Sequence, residues 1–267
     1  MTTNTTRRFD SDRFICRYEL DQRPDQELVS INQTSYRLIQ EAFGEQFAME
    51  LDSTGLPEPV SYYIVYAASL IHGAADAALT LILHNLGREA KILERQVFEC
   101  WVRAQYYAND PDEARDALYS TAFAEMRLMD DLGYDTSSDR YRNMAKLCKR
   151  IARVRPDATR YREPTIRKIV GAKPENPELL RFYSLHYRIA SQMVHGTFAG
   201  ASGVMAEDQI SFDSRQRNPN YTIEAITAYI LAFLELADAR LALGLGERIR
   251  ALKLAFENST RKLRTDP

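Results

Sequence analysis

Cysteine, glycine and proline are all scarce in this chain. Cys16, Cys100 and Cys148 are its three cysteines in 267 residues. Their odd number and the lack of any CxxC or Cys/His spacing argue against a disulfide framework or a zinc site. A reducing, cytoplasmic setting is expected. Met1 to Arg8 is polar and has no apolar core, so no secretory signal is expected there. Eleven glycines and ten prolines fall mostly outside the apolar-periodic stretches, which argues against a fold of many short strands. The net charge is −2, so no global field draws the chain to nucleic acid or to a membrane. The most apolar region, 60–86, carries Asp76 and is interrupted by His72-Gly73 and His84-Asn85. Its uninterrupted runs stop short of the roughly 18–20 residues that a bilayer requires. It reads as the central helix of a bundle, with no membrane partner. The chain also lacks a Gly-rich phosphate loop and a nucleophile elbow, and no cofactor or metal is expected.

What is present is helical periodicity. Apolar positions recur at helical spacing over about 25–50, with Leu28, Ile31, Tyr36, Leu38, Ile39, Phe43 and Phe47 roughly on one side. Further helices are expected over 60–86, ending at Gly87, and over 88–108, the two forming an antiparallel hairpin. Asn109-Asp110-Pro111 reads as a stop followed by an Asp N-cap with proline at the first helical position. A fourth helix then runs to about Leu132 and a fifth over 139–154. Residues 155–177 hold four prolines and read as a loop with one helical turn. Helices are expected over 177–195, 222–243 and 247–263, with a short strand at 209–213. The fold class is all-α, a bundle of about eight helices with a loop insertion after the sixth. An arm over 1–24 precedes a single helical domain over 25–267.

One helix has a conspicuous polar stripe. Tyr187, Ser191 and His195 are spaced four apart, and Arg188 lies two turns before His195, so all four share nearly one face. Buried polar groups need partners. Arg95 and Glu99, four apart on the 88–108 helix, are the expected ones. A Glu99 facing inward would accept from His195 or Arg188 and hold the imidazole in one tautomer.

Arg188-x6-His195 resembles the Arg-x4–6-His signature of HEPN-superfamily helical domains. Arg95-x3-Glu99 together with Tyr187-x3-Ser191-x3-His195-Gly196 resembles a bacterial family of unknown function, over roughly Val60 to Gly200. The resemblance implies metal-independent RNA cleavage at a composite site between two protomers, hence a homodimer, in a defence or toxin role. It makes Arg188 and His195 catalytic. Arg95, Glu99, Tyr187 and Ser191 support them.

Residues 146–173 are strongly basic, and Lys149, Arg150 and Arg153 are the expected contacts to an RNA backbone. The alternative for that run is a solvated helix face. Two other functional classes stay open. The stripe fits a non-catalytic binding module equally well, as a structural network or a small-ligand pocket. His72 and Asp76, also four apart, fit a metal pair, although a hydrogen-bonded core pair is the preferred expectation. Cys100 and Trp101 read as packing residues.

Overall fold

A computed structural model describes residues 23–44, 51, 55–172, 177–187, 205–206, 209–210 and 219–265. Its helices are α1 (Gln26–Ala42), α2 (Pro59–Leu83), α3 (Gly87–Asn109), α4 (Pro111–Asp131), α5 (Asp139–Val154), α6 (Ile166–Gly171), α7 (Pro177–Phe182), α8 (Asn220–Leu241) and α9 (Gly246–Thr265). The all-α reading is correct. A two-residue ladder pairs β1 (Met205–Ala206) with β2 (Gln209–Ile210) in antiparallel register, at the start of the expected strand.

The helix starts follow local chemistry. Asp25 caps α1 by accepting from the Leu28 amide at 2.8 Å. Asp110 caps α4 by accepting from the Glu113 amide at 3.1 Å, with Pro111 at the first helical position. Ser138 and Thr165 do the same for α5 and α6. Glu58 caps α2 with both oxygens, on the amides of Val60 and Ser61. Burial works against its charge, but these amide bonds prevail and hold its carboxyl below the usual range.

Two helix ends differ from expectation. Helix α1 closes at Ala42, short of Glu50, with the Phe43 amide bonded to the Ile39 carbonyl. Helix α2 is stopped by Asn85, at φ 63°, and Gly87 opens α3 instead. Asparagine tolerates the left-handed conformation, so no glycine is needed to turn the hairpin.

Helix α2 is long and apolar enough to cross a membrane by length and composition alone. In the fold it is the central helix. Its buried alanines, Ala67, Ala68, Ala74, Ala75 and Ala78, let α3 approach closely, and α1, α4 and α8 pack on its remaining sides. Helix α8 closes the core over α3 and α1. Phe233, Leu234 and Tyr229 are fully buried there. One polar tie crosses this core: Asn32 donates to Thr227 Oγ1 at 2.8 Å, and Thr227 in turn donates to the Ile223 carbonyl.

A smaller second cluster joins α4, α5 and a 3-10 turn at Pro156–Arg160, built on Tyr119, Ala122, Cys148, Ile151 and Ala158. Where a loop with one helical turn was expected, the described residues 155–172 hold both this 3-10 turn and α6, which Thr165 caps. Cys100 and Cys148 are both buried and free. Cys100 packs as expected, and Trp101 stacks on Tyr229 with ring centroids 5.6 Å apart.

Candidate functional site

Three helices in sequence, α2, α3 and α4, meet around a cleft of about 610 Å³. Its walls follow from helical spacing. On α2, Tyr62, Tyr63 and Tyr66 fall within one turn and line the cleft. On α3, Gln96, Glu99, Arg103 and Tyr107 recur at three and four residues and line it from the other side. Helix α4 adds Leu118, Thr121 and Glu125, and the 161–165 stretch adds Glu163.

Hydrogen bonds tie part of this lining together. Glu163 accepts from the Tyr107 hydroxyl at 2.9 Å and pairs with Arg103 at 3.1 Å. Arg103 also donates to the Pro164 carbonyl. Beside them the Tyr161 hydroxyl donates to Glu113 at 2.9 Å. Burial comes first among the causes that push Tyr63, Tyr107 and Tyr161 well above an ordinary phenol, and nearby carboxylates add to it. Burial also lifts the Cys100 thiol to about 12, which makes it a poor nucleophile. Burial opposes the Arg103 charge, yet Glu163 raises the guanidinium overall.

At one end of the cleft Glu99 is shared with a second group. Arg95 donates from Nε to Glu99 Oε1 at 2.7 Å, and its guanidinium lies 5.1 Å from the centre of the Tyr187 ring. Burial, then the negative charge of Glu99, raises the Tyr187 phenol, while Arg95 partly offsets this. Three of the expected residues, Arg95, Glu99 and Tyr187, therefore converge. Arg188, Ser191 and His195 lie outside the described residues.

Tyr187 reaches this position through a change of helix type. Helix α7 ends at Phe182, and Tyr183–Tyr187 is a π-turn where an unbroken α-helix to His195 was expected. A π-turn holds more residues per turn, so side chains four apart come nearer to eclipsing. Accordingly the Tyr183 and Tyr187 rings stack at 5.2 Å and 20°. Phe98 of α3 supports Tyr187 from below at 5.5 Å.

The basic residues stand elsewhere. Lys149, Arg150 and Arg153 are exposed on α5 and line, with Lys146, a hollow of about 570 Å³. Helix α5 packs chiefly on α4 and the 3-10 turn, so these side chains belong to the smaller cluster and not to the Arg95–Glu99 end of the cleft.

The expected His72–Asp76 core pair is not formed. Asp76 is exposed and accepts from the Tyr36 hydroxyl at 2.9 Å, while His72 meets the edge of the Tyr36 ring at 5.6 Å. Tyr36 of α1 takes the bond that the two α2 residues were expected to share. Among the described residues no group of three or more His, Cys, Asp or Glu side chains comes together, so a metal centre around this pair has no support.

Sequence reasoning missed the cleft tyrosines and the buried Glu94. The signal was available: Tyr62, Tyr63 and Tyr66 cluster near the start of an otherwise aliphatic helix. Glu94 is almost fully buried and pairs with Lys91 at 2.7 Å. Read as part of a charged run, it gives no sign of facing inward.

No curated protein and no solved structure matches the chain. A family model does match, over residues 62–212. That span covers more than half of the chain and takes in the cleft tyrosines, Arg95, Glu99 and the polar stripe from Tyr187 to His195. The chain belongs to a family of unknown function, DUF5677.

Proposed function

We propose that the chain is a HEPN-like helical protein that cleaves RNA without a metal, in a defence or toxin role by family analogy. The observation that carries this reading is the capture of Tyr187 by Arg95 and Glu99. Tyr187 immediately precedes Arg188 in the sequence, so the proposed supporting ion pair holds the neighbour of a proposed catalytic residue. A π-turn at that point fits the frequent use of such turns at functional sites.

The chemistry needs only side chains. His195 takes the proton from a ribose 2′-hydroxyl as the oxygen attacks phosphorus, or returns one to the leaving oxygen. Arg188 stabilises charge on the phosphoryl oxygens. Ser191 supports them from the same stripe. Lys149, Arg150 and Arg153 offer an exposed cationic face for the RNA backbone, and a homodimer completes the composite site.

The test is incubation of the purified chain with mixed RNA in EDTA. Cleavage is expected from the wild type and should be lost in His195→Ala. Intact RNA with the wild type at every stoichiometry, or undiminished cleavage by the variant, overturns the reading.

The tyrosine-lined cleft favours a second reading, a non-catalytic module that binds a small ligand. A cleft of this volume lies within the roughly 300–1,000 Å³ of small-ligand sites. On this reading His195→Ala lowers the melting temperature and alters no activity.

A further inference from the structure

We infer that the cleft between α2, α3 and α4 binds a small organic ammonium cation. The inference rests on the cleft being a ligand site and is independent of RNA cleavage.

The argument begins with the ring geometry. Tyr63 stands edge-on to two neighbours, at 6.1 Å and 65° to Tyr66 and at 4.8 Å and 73° to Tyr107. Rings at steep angles to one another form adjoining walls, and the face of each ring carries negative potential. Tyr62 and Tyr66 line the cleft and remain 38% and 50% exposed, so a ligand can reach them. A cation without N–H donors, such as a quaternary ammonium, is attracted to such faces and loses little hydration on leaving water.

Charge selects among possible occupants. The side chains lining the cleft include three carboxylates, Glu99, Glu125 and Glu163, and one guanidinium, Arg103. Arg103 is turned onto Glu163 and the Pro164 carbonyl. The arginines that pair with Glu99 and Glu125, Arg95 and Arg140, are not among the lining residues. An anionic ligand would meet the oxygens of paired carboxylates and one guanidinium already engaged by Glu163. A neutral planar ring would stack on the same tyrosines but would gain nothing from the carboxylate oxygens that line the cleft. Burial raises the Tyr63 and Tyr107 phenols, so these two stay protonated across the physiological range.

The test is isothermal titration of the full chain with choline and with tetramethylammonium chloride, against sodium chloride at equal ionic strength. Saturable one-to-one binding of both is expected. Tyr66→Ala, at a half-exposed position that folding tolerates, should weaken it by about three- to thirty-fold. Glu125→Gln should weaken it as well, and circular dichroism should show both variants folded. Adenosine is titrated in parallel. If adenosine binds and loses affinity in Tyr66→Ala while the ammonium ions give only the sodium chloride heat, the cleft is a ligand site but the cation assignment falls. If none of the three binds, the ligand-site reading falls too. Ammonium binding unaffected by both substitutions also overturns the inference. The RNA assay in EDTA with His195→Ala reads the nuclease proposal separately.

Discussion

Arg95→Met tests whether the Arg95–Glu99–Tyr187 group acts as a unit. The substitution keeps most of the apolar stem and removes the guanidinium. An exposed i,i+4 ion pair contributes only ~0.3–0.5 kcal/mol. Here the Arg95 and Glu99 side chains are 20% and 28% exposed, and the Nε–Oε1 bond is 2.7 Å. After discounting for solvent screening, this pair is worth roughly 0.5–1 kcal/mol. The guanidinium over the Tyr187 ring adds about 0.5–1 kcal/mol. The expected loss is therefore about 1–2 kcal/mol. For a chain of this length that lowers the melting temperature by roughly 2–8 °C.

The assay is urea unfolding of Arg95→Met, Tyr187→Leu and the double variant, followed by circular dichroism. A coupling energy of about 0.5–1 kcal/mol between the two sites is expected. Arg248→Met serves as the control, since the Arg248–Glu41 pair is far more exposed, at 54% and 57%, and should show no measurable change. Additive losses, agreeing within ~0.3 kcal/mol, would refute the view that Arg95 holds the Tyr187 segment.

Two further outcomes follow from the buried polar groups. Thr227→Val keeps the shape of the side chain but removes the acceptor of the buried Asn32 amide nitrogen, leaving that donor unsatisfied. Stability by urea titration should fall by about 1–3 kcal/mol, and an unchanged midpoint would count against a dry α1–α8 interface. Alkali should also destabilise the fold. Tyr63, Tyr107 and Tyr161 are raised mainly by burial, and Tyr106 is pushed to about 12 by burial and Glu113. Folding thus favours their protonated forms. Their contribution is fully present below the unfolded value near ~10 and is lost as pH rises through the folded values. Tyr107→Phe should flatten this decline. Equal stability at about pH 9 and about pH 11 would contradict it.

Local chemistry was enough to read most of the helices. Asp110-Pro111 and the 3.6-residue apolar period are properties of neighbouring residues, and they place α3, α4 and α5 within a residue or so of where they lie. The pairing of Arg95 with Glu99 was equally legible, because four residues along a helix bring two side chains together whatever surrounds them.

Long-range packing decided the rest. Tyr36, forty residues upstream, takes Asp76 away from His72. The π-turn at Tyr183–Tyr187 widens a helix that the sequence period draws as regular, and ring stacking and the Arg95 contact occur at that turn. The cleft belongs to no single segment: Tyr66, Arg103, Glu125 and Glu163 become neighbours only when three helices and a loop close on one another. Spacing within a helix is encoded by its own residues. Which faces of different helices share a cavity depends on how their side chains interlock, and that is a property of the assembled fold.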